Sequence, residues 1–370
     1  MVKSITIDRN KPLKEDSHTG HNRWHPQIEP KIEVLEGEEV LLETRDALDG
    51  QFQPNSKDSD ILEVDAGRVH PLTGPVYISG AKPGDLLEVE FLDVIPQPYA
   101  FSAIMPGLGF LRDIFLDPFL VHWSISQGWA HSDQIPGVRI PGASFMGVSG
   151  VAPSPSELTN WTIREQELID RGGMCVPPNP QGAVPSSEVI AKTGLSTLPP
   201  RESGGNFDVK QLTKGSKLFL PVSVEGALFS TGDGHFAQGD GEVCVTAIEM
   251  GASCLVKFKL HPDEASNKNI RWPRFSRNDY FVDPKWGVPQ NFIATMGMPI
   301  TSDGFNDGEN LTLACRNALI NMIELLQDRG WTKDQAYVIC SVAVDLKISN
   351  VVDVPNYVVS AILPEGIFID

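Results

Sequence analysis

The sequence predicts a mainly β protein, with sandwich or jelly-roll-like sheets, a minor α+β portion and a few peripheral helices. Three observations lead there. Gly (33) and Pro (29) are spread through most of the 370 residues and cut the chain into short segments, which favours strands and turns. In three places a turn glycine is followed by apolar residues three and five positions later: Gly37 with Val40 and Leu42, Gly84 with Leu87 and Val89, Gly215 with Leu218 and Leu220. Period-2 spacing after a turn marks a half-buried strand. Helical periodicity, by contrast, is confined to three segments.

In chain order, the first helical segment is 156–171, closed by Gly172 and Gly173. Residues 176–201 are rich in Pro, Ser and Gly and predict a long surface loop. Residues 310–328 carry Leu311, Cys315, Leu319, Met322 and Leu326 on one stripe, with Gly330 just beyond. Thr332 and Gln335 form a capping-box pair for a further short helix. These elements divide the chain into an N-terminal β portion (1–150), a helix with a Pro/Gly-rich loop (151–205), and a second β portion with C-terminal helices (206–370). They could form one large domain or two interlocked ones, and the three turn-glycine copies are too irregularly spaced for a repeat array.

Composition narrows the function. The chain carries 30 Lys+Arg against 48 Asp+Glu, a formal charge of −18. Such a field repels phosphate backbones and anionic lipid, so nucleic acid and membranes are not expected partners. The five cysteines are odd in number and lack CxxC spacing, as expected of reduced thiols in a cytoplasmic protein. The N-terminus has no apolar stretch of signal-peptide type, and no apolar run approaches a membrane span of about 18 residues.

The segment 232–242, GDGHFAQGDGE, is the richest in chemistry. Its glycines allow sharp bends, and between them lie Asp233, His235, Gln238, Asp240 and Glu242, all nitrogen or oxygen donors. Asp233 and His235 are two apart, as are Asp240 and Glu242, so each pair shares a direction if the backbone is extended. That set suits a divalent ion accepting both imidazole and carboxylate, zinc first. The plainer reading, that Asp and Gly simply make turns, is outweighed by the density of donors.

Other candidates are weaker. His18, His21, Trp24 and His25 cluster near the start; Pro26 disfavours a helix there, and hydrogen bonds to loop carbonyls explain His18 best. Asp46 and Asp49 follow a strand, but Asp49-Gly50 is also a turn dipeptide. His70 is similarly ambiguous. Glu202, Asn206, Asp208 and Lys210 thread acids and amides between glycines. GxSxG, Walker A, GxGxxG and HExxH motifs are absent from the sequence, which leaves metal-activated water as the hydrolytic chemistry that the inventory suits.

Taken together, HNRWHPQIEP, RDALDGQ, VHPLTGPVYISGAKPGD, GVRIPGASFMGVSGVAPS, PPRESGGNFDVKQLTKGSKLFLPV and GALFSTGDGHFAQGDGEV resemble the acetamidase/formamidase family. They occur in the family's order, and FIATMGMP and CSVAVDLKISNVVDVPNYVVS extend the resemblance into the C-terminal third. The resemblance implies a mainly β fold with a jelly-roll-like portion, a homo-oligomer with a dimer favoured, and hydrolysis of formamide- or acetamide-like substrates to ammonia and a carboxylate. It also implies a bound zinc or calcium. The expected metal ligands are a subset of Asp49, His70, Asp233, His235 and Glu242. Glu202 or Asp208 is expected to relay the water's proton to the leaving nitrogen, alongside the catalytic His235 and Glu242, while His21 and Trp24 line the substrate pocket. Two alternatives stay open: a hydrolase of a bulkier amide such as indole-3-acetamide, and a non-catalytic, metal-binding β-sandwich.

Overall fold

The computed structural model describes residues 2–279 and 291–369. The three turn glycines all have positive φ (+83° at Gly37, +99° at Gly84, +84° at Gly215), a region that side chains with a Cβ rarely occupy. Each feeds a strand: Glu39–Thr44, Leu86–Ile104 and Lys217–Pro221. The alternation read in the sequence is therefore the alternation of the sheet.

The fold is mainly β. One branched sheet of fifteen strands dominates it. The long strand Leu86–Ile104 pairs antiparallel with Glu249–His261 on one side and Phe119–Ser126 on the other. The short strand Phe229–His235 lies between Phe145–Gly150 and the pair formed by Leu72–Ile78 and Glu249–His261. Pairing crosses residue 150, because Phe145–Gly150 also takes Gly204–Asn206 as a neighbour. The largest apolar core cluster draws on residues from Ile5 to Ile367, so the N- and C-terminal portions share it.

A second, three-stranded antiparallel sheet joins Phe292–Gly297, Val358–Pro364 and Asp345–Asn350. The helix Leu311–Asp328 covers one face, burying Ala314, Ala318, Leu319, Met322 and Leu326. The approach is close: a Cβ on Gly297 would stand 2.1 Å from the Ala314 carbonyl oxygen. Asn310 caps this helix by accepting from the Leu313 N–H. The helix Lys333–Ala343 has the expected Thr332–Gln335 capping box. The helix Pro155–Asp170 starts on a Ser154–Glu157 box. Each such cap is worth about 1 kcal/mol.

The segment 176–201 is mostly irregular but contains two short helices, Pro180–Gly182 and Glu188–Thr193. It is tied down by polar side chains from the N-terminus. The Asn22 amide donates to the Gly182 carbonyl (2.9 Å), and the Arg23 guanidinium to that of Asn179 (2.6 Å). All five cysteines are free thiols. Among the described residues, no helix is long and apolar enough to cross a membrane.

Candidate active site and metal centre

The strand Phe229–His235 carries the sequence FSTGDGH and is buried throughout. Its glycines are required by its neighbours. A Cβ on Gly232 would meet the Pro71 carbonyl oxygen at 2.6 Å, and one on Gly234 the Met250 carbonyl oxygen at 2.8 Å. Across the ladder, a Cβ on Gly147 would fall 2.5 Å from Asp208 Oδ1 and 2.7 Å from Asp233 Oδ2. Three strands thus crowd together and leave room only for functional side chains.

Those side chains surround His235. Its Nε2 lies 3.1 Å from Glu249 Oε2, 3.3 Å from Asp233 Oδ1 and 3.9 Å from Glu242 Oε1. His70 Nε2 approaches Asp233 Oδ2 at 3.9 Å. Asp208 completes the group: its carboxylate, with those of Asp233 and His235 Nε2 or Nδ1, falls within a sphere that one cation can occupy, as does the set His235, Glu242 and Glu249. The Phe145 ring packs edge-on against the imidazole, with centroids 5.0 Å apart.

Gln238 fixes the imidazole. Its side-chain nitrogen donates to the Asp208 carbonyl (2.7 Å), so its oxygen faces His235 Nδ1 at 2.9 Å. Nδ1 therefore carries a hydrogen, and Nε2 is the nitrogen directed at the carboxylates.

Electrostatics in this cluster are severe. Burial disfavours the imidazolium, yet Glu249 and Asp233 outweigh it and hold the His235 pKa well above the ordinary histidine value. Burial pushes Asp208 up, assisted by Asp233, and pushes Glu242 well up, assisted by Asp208. Burial, only partly offset by His235, takes Glu249 up to about 8. Asp233 moves the other way, because His235 and His70 more than cancel the effect of its burial. Four carboxylates this close and this buried are costly unless positive charge compensates them.

The residues fit a divalent ion. Asp208 Oδ1 is buried and lacks a hydrogen-bond partner among the described residues, and Glu249 Oε2 has the His235 ring nitrogen beside it at 3.1 Å. An imidazole nitrogen oriented from behind and facing several carboxylates offers nitrogen and oxygen donors to one divalent cation.

Of the residues expected from sequence, the structure gathers His70, Asp208, Asp233, His235 and Glu242. It adds Glu249, which the sequence reading missed. The available signal was its position as the one charge inside the otherwise apolar and small run from Val243 to Ala252.

Four expected residues lie elsewhere. Asp49 has its oxygens occupied, accepting from the Leu13 N–H (2.8 Å) and Arg68 Nε (3.0 Å), with Arg45 Nε at 3.5 Å. It is a buried structural ion pair rather than a member of the cluster, because two arginines reach it first. Glu202 forms a two-pronged pair with Arg164 (2.5 and 2.7 Å), which lowers its pKa, the opposite of what a proton relay needs. His21 hydrogen-bonds Ser230 Oγ (2.7 Å), and burial takes its pKa down to about 3. Trp24 sits against it, edge-on, in an aromatic core with Leu72, Val148, Leu158, Trp161 and Leu195. The other histidines of that stretch have plain partners, Asp16 for His18 and Thr193 for His25.

A cavity of about 410 Å³ meets the cluster at Glu249; its walls include Phe52, Phe101, Tyr99, Asp46, Arg45 and Arg68.

The model of a family described as the Acetamidase/Formamidase family matches residues 6–370. The acetamidase of Mycolicibacterium smegmatis is 36% identical over 366 residues, spanning 90% of this chain and 88% of that one. The formamidase of Methylophilus methylotrophus is 34% identical over 386 residues, spanning 99% and 93%. The solved structure of a gamma lactamase from Delftia acidovorans aligns with a TM-score of 0.93 at 35% identity, covering 99% of this chain and 93% of that one.

Proposed function

This chain belongs to the acetamidase/formamidase family, and from that premise we propose that Asp208, Asp233, His235, Glu242 and Glu249 hold a divalent ion, zinc first and calcium second, for the hydrolysis of a short linear amide to a carboxylate and ammonia. The chain is a hydrolase of carbon–nitrogen bonds in linear amides, which disfavours the non-catalytic sandwich. The observation that carries the metal reading is the fixed orientation of His235: Gln238 claims Nδ1, and Nε2 faces acidic oxygens.

When bound, such an ion polarises an amide carbonyl and brings the pKa of a water towards neutrality. The chain's own groups manage the proton. Attack by water on the carbonyl carbon releases a proton, and the Asp208–Glu242 pair, of which one acid stays outside each three-residue set that could hold the ion, accepts it. The same pair then delivers the proton to the amide nitrogen as the C–N bond breaks, so that ammonia leaves. Gln238 keeps the imidazole aligned throughout, and His70 stabilises the charge on Asp233.

Ammonia release from formamide and acetamide, measured before and after exhaustive chelation and again after adding back zinc or calcium, tests this. Loss on chelation with recovery on reloading is expected; full turnover by metal-free protein refutes the metal role.

One observation supports a bulkier acyl group. The 410 Å³ cavity that touches the cluster at Glu249 is larger than a two-carbon amide needs, and Phe52, Tyr99 and Phe101 share its wall with Arg45, Asp46, Asp49 and Arg68. Relative kcat/KM on formamide, acetamide and indole-3-acetamide separates the two acyl preferences.

Self-association is supported by the open face of the C-terminal sheet, where Phe292 is 55% and Met296 62% exposed. A dimer is expected by light scattering, and the F292D/M296D double variant is expected to shift it towards monomer.

A further inference from the structure

The loops that carry Asp208 and Glu242 hold both acids in backbone conformations that residues with a Cβ rarely adopt. Asp208 has φ +49° and Glu242 φ +43°, left-handed values that non-glycine residues hold only when their surroundings impose them. The Gln238 amide ties the two loops at the Asp208 carbonyl (2.7 Å), and a second hold comes from outside them.

Asp345, at the start of the C-terminal strand Asp345–Asn350, contacts both. Its Oδ1 accepts from the Lys210 ammonium, two residues beyond Asp208. The same oxygen accepts from the Asp240 N–H at 3.0 Å, two residues before Glu242. The Leu346 N–H donates back to the Asp240 carbonyl at 3.0 Å, and Gln211 Nε2 reaches Asp240 Oδ1 at 3.4 Å. Lys210 Nζ also stands 4.0 Å from Asp240 Oδ2. The arrangement is shielded, with side chains only 12% exposed at Lys210 and 15% at Asp345. The chain before Asp345 presses in as well: a Cβ on Gly239 would stand 2.2 Å from the Val344 carbonyl oxygen.

We propose that Asp345 and Lys210 are positioning residues, a clamp from the C-terminal sheet that sets the spacing of Asp208 and Glu242. The proposal rests on the reading of those two carboxylates as working members of the site. It assigns the C-terminal sheet a part in catalysis, although none of that sheet's residues reaches the cluster. A carboxylate at 345 is needed for two reasons. Its charge satisfies a buried ammonium, and its oxygen serves a second donor on the other loop. Asparagine keeps the acceptor and loses the charge; alanine loses both.

Outer-shell partners of this kind typically alter metal affinity or activity about 10–100-fold. The test uses the full chain as wild type, D345N, D345A, K210M and the D345N/K210M double variant. Cobalt(II) affinity and visible absorption of the metal-free proteins, their melting temperatures, and kcat and KM of the loaded enzymes are compared. Expected are weaker cobalt binding and lower kcat by at least about ten-fold in D345A, an intermediate loss in D345N, an altered cobalt spectrum, and a double variant no worse than the poorer single one. D345N and K210M keep the test available if D345A does not fold. Wild-type cobalt spectra and kcat in the folded variants would overturn the clamp, as would fully additive losses or losses that track folded yield alone. If the wild type itself bound no divalent ion, the metal reading would fall, while the non-additivity in kcat would still decide the clamp.

Discussion

His235 Nδ1 and Gln238 Oε1 are 2.9 Å apart, and this contact decides which imidazole nitrogen faces the carboxylates. Gln238 is itself oriented by its second bond, to the Asp208 carbonyl, so one side chain couples a ligand's tautomer to the position of a neighbouring acid. Replacing Gln238 by Ala frees the ring and removes a hold on the Asp208 loop. Metal affinity and kcat are expected to fall about 10–100-fold, measured by competition with a chromophoric chelator and by ammonia release.

Gly147 is the floor beneath Asp208 and Asp233. The G147A variant would place a methyl group 2.5 Å from one carboxylate oxygen and 2.7 Å from the other. Both acids must move. A cost of about 1–3 kcal/mol in stability is expected from overpacking, together with a loss of metal content and of most activity, read by elemental analysis and thermal melting.

Asp49 separates a structural acid from a ligand. Its side chain is 2% exposed and paired with Arg45 and Arg68. D49A leaves Arg45 with Asp16 (2.6 Å) but removes the acceptor of the Leu13 N–H and the carboxylate facing Arg68, and stability should fall by about 1–3 kcal/mol. Metal content per folded chain should stay at the wild-type level; a stoichiometric loss of metal in folded D49A would restore Asp49 to the ligand set.

Asp46 gives a pH-dependent prediction. Burial raises its pKa to about 6, offset in part by the Gly50 and Leu48 N–H groups it accepts from. The folded value lies above the ordinary one, so the folded state binds more protons between about pH 4 and 6 and stability falls as pH rises through that window. Solvent contact limits the effect to the order of 1 kcal/mol. D46N keeps the acceptor oxygen and removes the charge. Its stability advantage over wild type should be larger at pH 7 than at pH 4, by denaturant titration.

How far the sequence reaches differs from element to element. The strands after Gly37, Gly84 and Gly215, and the helix behind Asn310, were legible because their causes are local: a glycine dihedral, an alternation, a cap. Asp233 and His235 were legible from the density of donors between glycines, although Asp233 itself has φ +59° and departs from the extended backbone that the spacing assumed. Asp49 and Glu202 looked like site residues because composition cannot show that an arginine has already claimed an acid.

By itself the sequence determined the mainly β character, the kinship and the dense donor segment 232–242, all properties of short stretches and their order. Only the tertiary structure decided that Glu249 joins His235, that the Asp208 carbonyl holds Gln238, and that Asp345 holds Lys210 to the Asp240 backbone. The physical reason is reach: those contacts join strands and loops whose register depends on every layer of the sheet between them. A charge is functional or structural according to which opposite charge the folded chain brings within a few ångströms.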